Sequence, residues 1–62
     1  MALNDNIKKL REEKNLTQQQ LADQLYVSRQ TICRWENGSR CPDLIMAKKL
    51  ALELGVSMDE LV

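Results

Sequence analysis

Apolar residues recur every three or four positions along most of the chain, which is the spacing of a helix face. The pattern predicts a first helix over roughly 4–14 and a second over about 18–25. Three more helices are predicted, beginning after Ser28, Asp43 and Ser57. Val, Ile and Thr are scattered and never alternate with polar residues, so no strand is predicted. The sequence therefore predicts one all-α domain of five helices over residues 1–62.

Capping and turn residues set the expected ends of these helices. Thr17 and Gln20 have the spacing of a capping box, in which each side chain satisfies a backbone N–H group of the other residue. Gly38 and Gly55 stand where the third and fourth helices should end, and Asn15 can close the first in the left-handed conformation. Because the connections are short, the helices are expected to pack into one compact unit.

The apolar faces of the helices define the expected core. The residues predicted to face inward are Leu3, Ile7 and Leu10, then Leu21, Ala22 and Leu25, then Ile32 and Trp35, and finally Leu44, Ala47, Leu50, Ala51 and Leu54. Val56 and Leu61 flank the start of the fifth helix as a hydrophobic staple.

The junction of the second and third helices is the most informative part of the sequence. Tyr26, Val27 and the expected cap Ser28 leave too short a connection for antiparallel packing, so the helices must cross steeply. This is helix-turn-helix geometry, in which the second member can enter a DNA major groove. A helical wheel gives that helix an outer face without acids, made of Arg29, Gln30, Cys33, Arg34 and Asn37. Arginine and amide side chains of this kind hydrogen-bond base edges.

The charge distribution agrees with this interpretation. The chain has nine basic and nine acidic residues, so its formal charge is zero. Residues 28–42, however, carry three arginines against one glutamate, whereas residues 43–62 carry two lysines against four acids. The positive segment coincides with the predicted DNA-reading helix. Four lysines elsewhere are interpreted as solubilising: Lys8, Lys9, Lys48 and Lys49.

Composition argues against several other classes of protein. Two cysteines without histidine cannot complete a four-ligand zinc site, and the usual catalytic assemblies are missing, so no enzyme, metal or cofactor is predicted. No apolar stretch is long enough to cross a membrane, and no signal peptide is recognisable. Two cysteines make a poor disulfide framework, so they are expected to be reduced, which indicates a cytoplasmic protein. Two interpretations of the cysteines stay open. Either both thiols are passive, or oxidation of Cys33, resolved by Cys41, controls the binding activity of the protein.

Four ordered segments of the sequence resemble the phage-repressor/Cro (XRE) helix-turn-helix family: Leu16–Ala22, Val27–Ile32, Trp35–Gly38 and Leu50–Leu61. The resemblance implies a compact five-helix, lambda-repressor-like domain with its helix-turn-helix at the second and third helices. It also implies a sequence-specific regulator of transcription, a repressor, that reads a palindromic operator in double-stranded DNA.

The resemblance further implies roles for individual residues. The implied base contacts are Arg29, Gln30 and Arg34. The implied phosphate contacts are Gln18, Ser28, Asn37 and Arg40. Arg11 and Glu36 match a structural ion pair between the first and third helices. Tyr26 departs from the family pattern, because it stands where a glycine with positive φ is common.

A homodimer is expected, because one domain of this size offers little interface and two half-sites would add affinity. Val56, Leu61 and Val62, in the region of the C-terminal helix, are the candidates for the dimer seam. No membrane partner is predicted. The alternative function is a protein-interaction module of the same fold, an antitoxin or an antirepressor, for which the outer face of the third helix would be dispensable.

Overall fold

The computed structural model describes residues 2–62 and contains five helices in the predicted order. They are α1 (Leu3–Glu13), α2 (Gln18–Leu25), α3 (Arg29–Asn37), α4 (Leu44–Leu54) and α5 (Met58–Leu61). The described residues contain no strand, which confirms the all-α prediction. The first helix lies one residue earlier than expected at both ends.

Side-chain caps begin four of the five helices. The Thr17 hydroxyl accepts a hydrogen bond from the backbone N–H of Gln20 at 3.0 Å, and the Gln20 side chain accepts one from the N–H of Thr17 at 2.9 Å. A second capping box starts at Ser57, while Ser28 and Asp43 cap α3 and α4. Each such cap stabilises its helix by about 0.5–2 kcal/mol, which matters in helices this short.

The core lies where all five helices meet. Its buried residues are Ile7, Leu21, Ala22, Leu25, Ile32, Trp35, Ala47, Leu50, Ala51, Leu54 and Leu61. α3 packs between α1 and α2, and α4 packs against α1, α2 and α5. This arrangement confirms most of the core predicted from apolar spacing, and it fixes the inner side of α3 in place.

One residue of α4 contradicts the predicted core. Leu44 is 65% exposed, so the expectation that it faces inward is wrong. At about 100° per residue, Leu44 lies roughly 120° around the helix from the fully buried Leu50. Leu44 belongs instead to an exposed apolar stripe that also contains Ile45 and Leu52. Apolar residues occupy so much of the circumference of α4 that spacing alone does not define its buried side.

The last helix is tied to the core despite its four residues. Leu61 is fully buried, and the Asn6 side chain on α1 donates a hydrogen bond to the Leu61 carbonyl at 3.0 Å. The expectation that Leu61 contributes to a dimer seam is therefore wrong, because its side chain is already enclosed. Val56 is half-buried and Val62 is 61% exposed.

Two residues other than glycine have a positive φ in the described part of the chain. Asn15 has a φ of 57° after α1, as its position predicts, and Tyr26 has the same φ at the end of α2. The Tyr26 side chain is 94% exposed, so no packing offsets the cost of a left-handed residue that carries a Cβ. That cost is about 1–2 kcal/mol.

The longest helices, α1 and α4, have 11 residues each. Within residues 2–62, no helix combines the length and the apolar character that crossing a bilayer requires.

Candidate nucleic-acid interface

Three residues connect α2 and α3, and their backbone geometry is well defined. The Val27 N–H donates to the Ala22 carbonyl at 3.0 Å, which closes the end of α2 around the left-handed Tyr26. Ser28 then begins α3 by accepting a hydrogen bond from the N–H of Thr31. This turn directs α3 across α2 and leaves one side of α3 open to solvent.

The open side of α3 carries the predicted polar residues. Arg29, Gln30, Arg34 and Asn37 are exposed, and Cys33 is half-buried. The opposite side of the helix is buried through Ile32, Trp35 and Glu36. Trp35 is therefore a core residue in this structure. The four exposed residues of the open side, which we call the exposed ridge of α3, include no acidic side chain.

A buried ion pair attaches α3 to α1. Arg11 donates from Nε to Oε2 of Glu36 at 2.6 Å and from Nη2 to Oε1 at 3.1 Å. Its Nη1 donates to the Leu16 carbonyl at 2.7 Å, so the guanidinium also binds the connection that leads into α2. The side chains are only 11% and 4% exposed. The hydrogen bond to Glu36 raises the pKa of Arg11, although burial opposes the shift, and the arginine stays charged.

Gln18 links this ion pair to the exposed ridge. Its Nε2 donates to Oε1 of Glu36 at 3.0 Å, and its Oε1 accepts from Nη1 of Arg29 at 3.4 Å. Gln18 therefore has an intramolecular role that sequence reasoning missed, since the contact depends on how α2 and α3 cross. One N–H of its amide remains available for another partner.

Two shallow hollows lie beside the exposed ridge of α3. The Arg40 hollow, about 250 Å³, is lined by Thr31, Arg34, Trp35, Arg40 and Cys41. The Lys8 hollow, about 240 Å³, is lined by Lys8, Gln18, Cys33, Glu36 and Asn37. At about 100° per residue, Thr31 and Cys33 are roughly 160° apart around α3, so the two hollows lie on opposite flanks of the helix.

The residues implied as phosphate contacts divide between these flanks. Gln18 and Asn37 line the Lys8 hollow, whereas Arg40 lines the other. The backbone N–H of Arg40 donates to the Arg34 carbonyl at 3.2 Å, which folds the segment after α3 back against the helix. Ser28 lies at the N terminus of α3, where its hydroxyl also hydrogen-bonds that of Thr31 at 2.9 Å.

Both cysteines are free thiols, and they lie on different sides of α3. Cys33 lines the Lys8 hollow and Cys41 lines the Arg40 hollow, so the redox alternative gains no support from the structure. Among residues 2–62, no cluster of three Cys, Asp or Glu side chains could hold a metal ion.

Comparison with known proteins identifies a family whose sequences match this chain. A sequence model of the helix-turn-helix family matches residues 7–61. The chain is 45% identical over 62 residues to the HTH-type transcriptional activator BcrR of Enterococcus faecalis, covering 100% of this chain and 30% of BcrR. It is 41% identical over 58 residues to an uncharacterized HTH-type transcriptional regulator, YqaE, of Bacillus subtilis, covering 94% of this chain and 50% of that protein.

A third relative has nearly the same length as this chain. An uncharacterized HTH-type transcriptional regulator of Methanocaldococcus jannaschii is 41% identical over 59 residues, which are 95% of this chain and 89% of the relative. The chain therefore spans less than a third of BcrR and half of YqaE, but most of the archaeal protein.

Proposed function

This chain belongs to the helix-turn-helix family of transcriptional regulators, and we propose that α3 enters the major groove of double-stranded DNA and reads a palindromic operator there. The acid-free ridge of α3 is the observation that carries the proposal. A solvent-exposed helix face usually mixes acids and bases. This ridge instead presents arginine and amide groups, which can hydrogen-bond base edges. We further propose that the chain is not an enzyme and acts in the cytoplasm.

Three residues are proposed to contact bases. Gln30 and Arg34 are exposed one turn apart, so both can reach the floor of a groove at the same time. Arginine can bind guanine and glutamine can bind adenine through two hydrogen bonds each, at about 1–3 kcal/mol of discrimination per pair. Arg29 begins the same helix, and its contact with Gln18 limits the directions its guanidinium can take.

Selection of bound sequences from random duplex DNA tests this function, with Gln30→Ala and Arg34→Ala compared with the wild type. We expect the wild type to enrich a palindrome and each variant to lose preference at one base pair per half-site, by about 5–150-fold. Lys49→Ala, an exposed residue of α4, is the matched control and should select the wild-type sequence. An equal loss of affinity on every sequence would assign the residue to phosphate binding instead.

The same experiment separates the protein-interaction alternative from the proposal. An antitoxin or antirepressor would enrich no duplex sequence, and its partner binding would survive changes on the α3 ridge.

We propose repression as the direction of regulation, as the resemblance to phage repressors implies, although BcrR is named an activator. A reporter gene placed behind the enriched operator decides the direction: lower expression in the presence of the chain supports repression, and higher expression contradicts it.

Phosphate contacts are proposed for four residues at the ends of the ridge or beside it. Asn37 and Arg40 follow one another around the C-terminal end of α3, and Gln18 and Ser28 lie near the N-terminal ends of α2 and α3. The unpaired backbone N–H groups at such ends favour anions. These contacts would hold α3 in register with the DNA without adding sequence preference.

A homodimer is proposed as the form that binds the operator. Leu52 is 81% exposed, and with Ala51, Val56 and Met58 it surrounds a mainly apolar hollow of about 300 Å³, with Lys48 at its edge. Exposed Val62 follows the neighbouring helix α5. These apolar groups support a seam in the C-terminal region, formed without Leu61. A two-fold dimer would place its recognition helices about 34 Å apart, which matches half-sites ~10 bp apart.

We expect Leu52→Glu and Val62→Glu to weaken the dimer, because each would bury a charge at the proposed seam. Analytical ultracentrifugation should show the wild type as a dimer on operator DNA and each variant shifted to monomer, with operator affinity falling at least about tenfold. Ile45→Glu adds a charge at the other end of the apolar stripe and should leave the dimer intact. Variants that sediment and bind like the wild type would place the seam elsewhere.

A further inference from the structure

We infer that Lys8 binds a phosphate of the DNA backbone, on the opposite flank of α3 from Arg40. This inference rests on the proposed function, since it names the ligand group that the Lys8 hollow receives. From the sequence, Lys8 and its neighbour Lys9 were both interpreted as solubilising residues. The structure separates the two residues, because Lys8 lines the hollow beside α3 and Lys9 does not.

The charge inside the hollow favours an anion. Glu36 is the one acid in the lining, and both of its oxygens are occupied: Oε2 by Arg11, and Oε1 by Arg11 and Gln18. Its side chain is almost fully buried, so its charge is neutralised within the protein. The uncompensated charge that faces the hollow is therefore the ammonium group of Lys8.

The polar groups of the hollow are arranged as donors. Asn37 uses its Oδ1 to accept the N–H of Ser39 at 2.8 Å, and no described residue accepts from its Nδ2. Gln18 uses its Oε1 for Arg29 and one N–H for Glu36, which leaves the other N–H free. With the three N–H groups of Lys8, the lining offers donors to an incoming group. A phosphodiester, which carries a negative charge and can only accept, matches such a lining.

The position of the Lys8 hollow places it beside the backbone of one of the two DNA strands. A major groove is about 12 Å wide and is filled by a helix about 10–12 Å across, so the backbones of the two strands run along opposite flanks of the inserted helix. With α3 in the groove, the Arg40 hollow faces one backbone and the Lys8 hollow faces the other. Lys8, Gln18 and Asn37 would then hold one strand while Arg40 holds the second.

Salt dependence of DNA binding tests the inference, with the enriched operator duplex as probe and Lys8→Gln compared with Lys9→Gln. Each lost phosphate contact should reduce the slope of log K against log salt by about 0.9. We expect this reduction for Lys8→Gln, with unchanged base preference, and no reduction for Lys9→Gln. Arg40→Gln, on the other flank, should show a reduction of similar size. Circular dichroism checks that the exposed substitutions leave the helices formed.

The two native thiols provide an independent measurement. Alkylation by iodoacetamide, followed by mass spectrometry of the peptides, should show that operator DNA protects both Cys33 and Cys41. An unchanged slope for Lys8→Gln would overturn the inference while the proposed function stands. A Cys33 that DNA leaves unprotected would count against insertion of α3 into the groove, and so against the proposed function itself. If the wild type binds no duplex at any salt concentration, the proposed function itself fails.

Discussion

Replacing Arg11 with Met is expected to lower the free energy of unfolding by about 3–5 kcal/mol. The loss is large because the change removes two hydrogen bonds from Glu36 and leaves a carboxylate buried with Gln18 as its remaining partner. It also frees the Leu16 carbonyl, which binds Nη1 of the arginine. A domain of this size has a total stability of roughly 3–9 kcal/mol, so the substitution should remove about a third of it or more.

Urea denaturation followed by circular dichroism measures this effect, with Arg34→Met as the matched control. Arg34 lies on the exposed ridge, and its replacement should change stability by no more than about 0.5 kcal/mol. The double variant Arg11→Met/Glu36→Met should recover much of the loss, because replacing a whole buried pair with apolar groups is often neutral. If Arg11→Met costs no more than Arg34→Met, the ion pair fixes geometry without stabilising the fold.

The protonation of Arg11 should add nothing to the pH dependence of stability under ordinary conditions. A raised pKa in the folded state means that the stabilisation is complete below the pKa of the unfolded chain and is lost only as the pH rises through the folded value. For an arginine that range is strongly alkaline. Changes of stability at neutral or acidic pH must therefore arise from other groups.

Leu61→Ala is expected to cost about 2–5 kcal/mol, whereas Val62→Ala should cost no more than about 0.5 kcal/mol. The two residues are adjacent, but the side chain of Leu61 is fully enclosed and that of Val62 is exposed. Removing the Leu61 side chain leaves a cavity among α1, α4 and α5 and loosens a helix that has few other anchors.

Paired urea denaturation of the two alanine variants measures this difference. The Asn6 side-chain amide donates to the Leu61 carbonyl, so hydrogen exchange of that side-chain amide reports on the docking of α5. Similar small losses for both variants would mean that α5 separates from the rest of the domain without unfolding it. Such a result would contradict the burial of Leu61 and would return that residue to the list of possible seam positions.

Features set by neighbouring residues were predictable from the sequence. The capping box at Thr17 and the caps at Ser28, Asp43 and Ser57 involve residues three positions apart, so their geometry depends little on the rest of the fold. The exposed side of α3 was also predictable, because its polar and apolar residues separate cleanly on a helical wheel.

Features set by distant contacts were not predictable in the same way. Leu61 is enclosed through contacts with α1, and its carbonyl bond to Asn6 spans 55 positions of sequence. The links from Gln18 to Glu36 and Arg29 depend on the crossing of α2 and α3, which no local pattern encodes. The contact of Arg11 with Glu36 was implied only by family resemblance, and in the structure the two side chains meet.

The separation of α3 into a buried side and an exposed side has a consequence for how such a domain diverges after gene duplication. Gln30 and Arg34 touch solvent, so single-codon changes there could redirect one copy to a new target while its core stays the same. Arg29 differs, because it is joined through Gln18 to the Glu36 carboxylate. We therefore expect Arg29 and Gln18 to change together, more slowly than the two positions beside them.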